Sequence, residues 1–66
     1  MTIIVNGDPI AVQDCPNIEA LLARLDIDPR RVAVERNMVV VKRAAYGTTP
    51  VRDGDAIEVV NFVGGG

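Results

Sequence analysis

Histidine, serine and tryptophan are missing from this 66-residue chain, and cysteine occurs once, as Cys15. Each absence removes a class of function. Without histidine or serine there is no base–nucleophile pair of the Ser–His or Cys–His kind. A metal site would have to rest on Cys15 and scattered carboxylates, a poor donor set, so no metal is expected. A single cysteine excludes an internal disulfide framework and fits a reducing compartment. Cys15 stands between Asp14 and Pro16, where a neighbouring carboxylate disfavours the thiolate; it reads as a loop or half-buried thiol. Tyr46 and Phe62 are the only aromatics, too few for a base-stacking platform. Seven basic against nine acidic residues give a net charge of −2, with the signs interspersed and Arg30-Arg31 and Lys42-Arg43 the only basic pairs. No nucleic-acid partner is expected from that pattern. No apolar run reaches the length of a bilayer, and Met1-Thr2-Ile3 does not open a signal peptide. The expectation is a soluble cytoplasmic protein without a membrane partner.

What the chain does have is apolar, β-branched residue. Hydrophobic residues make up 48% of it, enough for a compact core even though a domain of this size buries only about 60% of its unfolded surface. One domain follows, with no room beside the core for an enzyme cleft of usual size. A self-contained enzyme and a bound cofactor are both unexpected.

Along the chain, Thr2-Ile3-Ile4-Val5 reads as a strand. Asn6-Gly7 then signals a hairpin, because both central positions of a type I′ turn require φ > 0. The returning strand spans Pro9 to Gln13. Asn17 is an N-cap with Glu19 in the first turn, and Ile18, Leu21, Leu22 and Leu25 recur at helical spacing on one face. Asp26-Ile27-Asp28-Pro29 ends the helix, since the residue before proline leaves the helical region. Arg31 to Arg36 alternates as a strand with Val32 and Val34 on one side. Asn37 marks a turn, Met38 to Val41 a short strand, and Lys42 to Thr49 a crossover with one helical turn at Arg43-Ala44-Ala45-Tyr46. Asp53-Gly54 closes a tight turn, and Ala56 to Val63 is the last strand. One hairpin plus one amphipathic helix implies a mixed sheet with the helix across a single face. Leu21, Leu22 and Leu25 are expected to pack on Ile3, Val5, Ile57 and Val59. By parity Val60 and Phe62 then fall on the uncovered face, a candidate docking pair.

The sequence ends on Gly64-Gly65-Gly66. Glycine has no Cβ, so such a tail is slim and permits close approach of another backbone. Glycine-rich ends also occur as plain linkers. The functional reading makes Gly66 the reactive residue, with its α-carboxylate presented to a partner's active site. Residues 1–63 would form the domain and 64–66 the tail.

The order ββαββ, the helix start near Asn17-Ile18, the stretches Val32-Ala33-Val34-Glu35-Arg36-Asn37, Val39-Val40-Val41-Lys42-Arg43 and Val51-Arg52-Asp53-Gly54-Asp55, and the glycine end resemble the ubiquitin-like sulfur carriers. Among these the chain is similar to the carrier of thiamine (thiazole) biosynthesis. The resemblance implies an α+β, ubiquitin-like β-grasp fold: a mixed sheet of four to five strands with one helix packed across one face. It implies a carrier rather than a catalyst. A ubiquitin-activating-type adenylating enzyme would use ATP to activate the Gly66 carboxylate, and sulfur from a cysteine desulfurase would convert it to a thiocarboxylate. A thiazole synthase would then take the sulfur. Gly64 and Gly65 would supply reach, and Val60 and Phe62 would bind partners. Two departures stand out: Asn37-Met38 where relatives often have Asn-Gly, and three final glycines where two suffice. The small subunit of molybdopterin synthase usually carries Pro-Pro before its glycines; Asn61-Phe62-Val63 stands here instead, which favours the thiazole branch. A carrier for molybdopterin or another sulfurated metabolite, and a β-grasp interaction module with idle glycines, are the alternatives.

Overall fold

The computed structural model describes residues 1–62; Val63, expected to finish the last strand, and Gly64, Gly65 and Gly66, the expected tail, lie outside the described residues. Five strands and one helix follow in the order β1 (Thr2–Val5), β2 (Asp8–Ala11), α1 (Ile18–Arg24), β3 (Val32–Arg36), β4 (Val39–Val41) and β5 (Ala56–Asn61), with 3-10 turns at Pro29–Arg31 and Arg43–Ala45. The strands form one mixed sheet in the spatial order β2-β1-β5-β3-β4. β1 and β5 run parallel, and the other neighbours are antiparallel. This is the β-grasp arrangement, with five strands from the expected four to five.

The two hairpins turn for the same backbone reason. Asn6 and Gly7 have φ of 50° and 85°, and Asn37 and Met38 have 51° and 69°, so both loops are of the type I′ kind that matches strand twist. Met38 thus adopts the left-handed conformation that glycine would take without strain. Each asparagine also reaches the central strand. The Asn6 side chain accepts from the Val59 N–H (2.8 Å) and donates to the Val59 carbonyl (3.1 Å), extending the short parallel ladder between β1 and β5. The Asn37 side chain accepts from the Ala56 N–H (2.9 Å) and donates to Asp55 (3.0 Å).

The helix is capped at both ends. Asn17 accepts from the Ala20 N–H, and the N–H groups of Ile18 and Glu19 donate to the carbonyls of Thr49 and Tyr46 in the crossover. The free donors of the first turn are thereby satisfied. At the far end Ile27 N–H donates to the Leu22 carbonyl and Asp26 N–H to that of Ala23, with Asp26 at φ 59°. That is a Schellman cap with aspartate in the place usually held by glycine. Pro29 therefore does not end the helix, as the sequence suggests; it opens the following 3-10 turn, which Asp28 caps.

The core lies between α1 and one face of the sheet: Ile18, Leu21 and Leu22 with Ile3, Val32, Val34 and Ile57, all essentially inaccessible. Leu25 and Val59 are only partly buried at its edge. Tyr46 closes the crossover side, its hydroxyl donating to the buried Val32 carbonyl at 3.2 Å. Asp55, the one buried charged residue among the described residues, accepts from Arg36 Nε and the Arg52 N–H, both at 2.8 Å, and from Asn37. Burial opposes its charge, but these donors outweigh that and hold its carboxyl below the usual aspartate range.

Candidate functional site

β5 has neighbours on both edges, so only its two faces differ in environment. Ile57 faces the helix and is fully buried, whereas Val60 and Phe62 on the opposite face keep 60% and 55% of their surface. The parity read from the sequence therefore holds for both residues, and the strand carries them toward the chain's final glycines. Regular strand structure ends at Asn61, but the Phe62 N–H still donates to the Arg31 carbonyl at 2.9 Å, which anchors the last described residue to β3's approach.

Two features around this pair were not visible in the sequence. Val60 lies opposite Ala33, and Val40 lies opposite Glu35, so Val40, 68% exposed, joins the same open face from β4. The sequence shows Val39-Val40-Val41 as one apolar run; only the register tells that Val41 is core while Val40 faces outward. The second feature is an open cleft of about 470 Å³ at the end of β5, lined by Asp26, Ile27, Asp28, Arg31, Asn61 and Phe62. Its rim is charged. Hydrogen bonds from the Arg30 side chain and backbone lower the Asp28 carboxyl to about 2, and Arg31 Nε lies 3.8 Å from the same carboxylate.

Cys15 takes no part in this face. It is buried rather than half-buried, its Sγ 3.8 Å from the Asn17 carbonyl. Burial raises its pKa, with Arg24 opposing weakly; desolvation, not the adjacent aspartate, is what disfavours the thiolate. Among the described residues no group of His, Cys, Asp and Glu is placed to hold a metal ion, and no helix is long and apolar enough to cross a membrane. The candidate reactive residue Gly66, with Gly64 and Gly65, lies outside the described residues.

The model of the ThiS family matches residues 3–66. The chain belongs to the ThiS family. Sulfur carrier protein ThiS of Bacillus subtilis is 39% identical over 54 residues, covering 82% of both proteins. A crystal structure of the thiamine biosynthesis protein ThiS from Geobacter metallireducens superposes with a TM-score of 0.87 at 40% identity, over 100% of both chains. A thiazole synthase of Paramagnetospirillum magneticum is 42% identical over 66 residues. This chain spans only 20% of that longer protein. The β-grasp arrangement of this ThiS family member is thus shared with a solved relative.

Proposed function

We propose that this chain is a sulfur carrier of thiamine biosynthesis, a co-substrate rather than a catalyst, with the Gly66 carboxylate as the group that carries sulfur. A carboxylate is a poor electrophile. Attack of its oxygen on the α-phosphorus of ATP, in the active site of an adenylating enzyme, expels pyrophosphate and leaves an acyl-adenylate with a good leaving group. The terminal sulfur of a persulfide made by a cysteine desulfurase then displaces AMP to give an acyl disulfide; a thiol reductant cleaves its S–S bond, leaving the thiocarboxylate and a disulfide, and the thiocarboxylate delivers its sulfur to a thiazole synthase. ATP belongs to the partner enzyme; the carrier itself holds no cofactor in this scheme.

The observation that carries the reading is the ThiS family match, which runs through Gly66 and so includes the glycines. The similarity to a protein named thiazole synthase supports that enzyme as the client, since a region like this chain makes up a fifth of it. The exposed Val60 and Phe62 supply a docking face beside the glycines. The partner enzymes, the tail's role and the cytoplasmic location belong to the same proposal.

The test is a mass measurement. Incubated with the adenylating enzyme, ATP and a sulfur donor, the chain is expected to gain the mass of one oxygen exchanged for one sulfur, located at Gly66. Deletion of Gly66 leaves a Gly64-Gly65 end one residue short, and a large fall in rate with unaltered folding is expected. Sulfuration of a chain whose Gly66 is amidated would overturn the proposal, because an amide has no carboxylate to adenylate.

A further inference from the structure

The sheet has two outer edges, β2 and β4, and the phase of each ladder tells what they present. In the first hairpin the two-residue turn Asn6-Gly7 joins Val5 to Asp8, so Val5–Asp8 and Ile3–Ile10 are hydrogen-bonded pairs. The backbone groups of Pro9 and Ala11 therefore face outward. Proline has no N–H, so this edge lacks a donor in its middle and is a poor template for a further strand. In the second hairpin the turn Asn37-Met38 joins Arg36 to Val39, which makes Arg36–Val39 and Val34–Val41 the bonded pairs. The N–H and C=O of Val40 then point away from β3. Lys42, still extended at φ −68° and ψ 147°, turns its N–H the same way. Neither proline nor charge interrupts Val39-Val40-Val41, and this edge is apolar on both faces: Met38 keeps 91% of its surface, Val39 67% and Val40 68%. A cleft of about 300 Å³ runs along it, with Val39, Val41, Ala45 and Thr49 in its lining. One edge is thus blunted and the other left open.

We propose that the β4 edge pairs with the β4 edge of a second copy of this chain, antiparallel about a two-fold axis beside Val40. The edge is complementary to itself. Val40 offers one outward donor and one outward acceptor, and the two-fold axis lets the Val40 residues of the two copies exchange both bonds. In that register Val39 of each copy stands opposite Val41 of the other, in a non-hydrogen-bonded pair where side chains come closest. Val41 lines the cleft with Ala45 and Thr49, so each Val39 enters the cleft of the other copy. The chain supplies both the apolar knob and its receptacle, which is what selects a second copy over an unrelated strand. Charge does not oppose the contact. Lys42 stands opposite Met38 of the other copy, so the two Lys42 backbones lie about 14 Å apart at about 3.4 Å per residue, beyond the screening length of about 8 Å. Assembly stops at two, because the remaining edge is the one blunted by Pro9. Both β4 and β5 run antiparallel to β3, so the two β5 strands finish at opposite ends of the joined sheet. Pairing is therefore compatible with the carrier reading and independent of it. Few residues pair, and a contact below about 1,200 Å² is weak.

Sedimentation equilibrium of the full chain is the test, with amide hydrogen exchange as the residue-level readout. The wild type is expected to be half dimeric near about 0.1 mM, in keeping with a contact this small. Exchange at Val40 and Lys42 is expected to slow as concentration rises, while exchange at Ala11 stays constant. Val40→Pro removes only an outward donor and copies the device already present at Pro9; it is expected to weaken dimerisation at least about tenfold and to melt within a few degrees of the wild type. Val39→Glu leaves the backbone donors in place and withdraws the apolar side chain from the cleft, with the same loss expected, and it decides the matter if Val40→Pro does not fold. Val60→Asp, on the open face and away from this edge, is expected to dimerise like the wild type. A wild type still monomeric at ten times that concentration would overturn the proposal, as would a dimer that survives Val39→Glu. A dimer abolished by Val60→Asp would place the contact on the open face and also overturn it. A monomeric wild type whose binding to the adenylating enzyme is lost in Val39→Glu would assign the edge to that enzyme instead. None of these outcomes bears on sulfuration of Gly66, so the carrier reading stands or falls separately.

Discussion

Truncating Asp55 to alanine tests the charged clasp that joins the loop before β5 to the β3–β4 hairpin. Its carboxylate accepts from Arg36 Nε (2.8 Å), Asn37 Nδ2 (3.0 Å) and the Arg52 N–H (2.8 Å). Hydrogen bonds to a charged group contribute about 1.5–3 kcal/mol each. The full sum is not lost, because the Arg36 side chain keeps 25% of its surface and regains water once its partner is gone. One to two such bonds is the realistic loss, about 2–4 kcal/mol. A domain of this length has a total stability of about 3–10 kcal/mol, taking about 0.05–0.15 kcal/mol per residue. The variant should therefore melt lower by about 8–32 °C, at about 4–8 °C per kcal/mol for small domains. Thermal and urea unfolding followed by circular dichroism at pH 7 measures this.

The pH dependence supplies the sign. Because the folded-state pKa of Asp55 is lowered, its stabilisation is fully present above the unfolded value of about 3.9 and is lost as pH falls through the folded value. The gap between wild type and Asp55→Ala should be constant from neutral pH down to about 5 and then close in acid. Asp28, lowered to about 2, lies in an exposed ion pair screened by water, so Asp28→Asn should leave the neutral-pH melt nearly unchanged. A melting shift below about 3 °C for Asp55→Ala, or a gap that persists unchanged into acid, would refute the clasp.

Leu22→Ala, at a fully buried position of α1, should cost about 2–5 kcal/mol in urea unfolding; an unmoved midpoint would reject the helix–sheet core described above. Met38→Gly should raise stability by about 1 kcal/mol, since Met38 holds φ 69° where a Cβ is strained, and a loss measured by the same unfolding would show that the methionine makes contacts worth more than the strain. Phe62→Asp should weaken binding to the adenylating enzyme and to the thiazole synthase, read by calorimetry, while leaving the melting temperature within a few degrees. Collapse of stability with intact binding would instead place Phe62 in the core.

Local chemistry made much of this fold legible in advance. Asn6-Gly7 admits few other conformations, Asn17 announces a helix start through its own side chain, and the three-and-four spacing from Ile18 to Leu22 marks the buried face. Alternation alone placed Val60 and Phe62 on the open side of β5. Features that depend on distant partners were hidden. The helix ends at Arg24 because the N–H groups of Ile27 and Asp26 close back on the carbonyls of Leu22 and Ala23, a cap more decisive than Pro29. Asn37-Met38 keeps the glycine-type turn because Asn37 is tied to Asp55 and Ala56, contacts no local pattern discloses. Val40 became part of the open face only through strand register. Cys15 proved more buried than its polar neighbours suggest, since Val12, Pro16 and Val51 gather beside it.

The parallel pairing of β1 and β5 also has a mechanical meaning. Two adjacent parallel strands leave the fold from opposite ends, so tension between the first residues and the far end of β5 acts along the strands and not across them. The Ile4 and Asn6 N–H bonds to Asp55 and Ile57, together with the Asn6 carboxamide clasped to Val59, must then slide and break together instead of unzipping one at a time. The antiparallel ladder to β3 lies on the other edge of the same strand and is loaded at the same moment. A partner that grips the end of β5 and draws it into a channel thus pulls on the stiffest direction of the molecule, and the body follows as a unit.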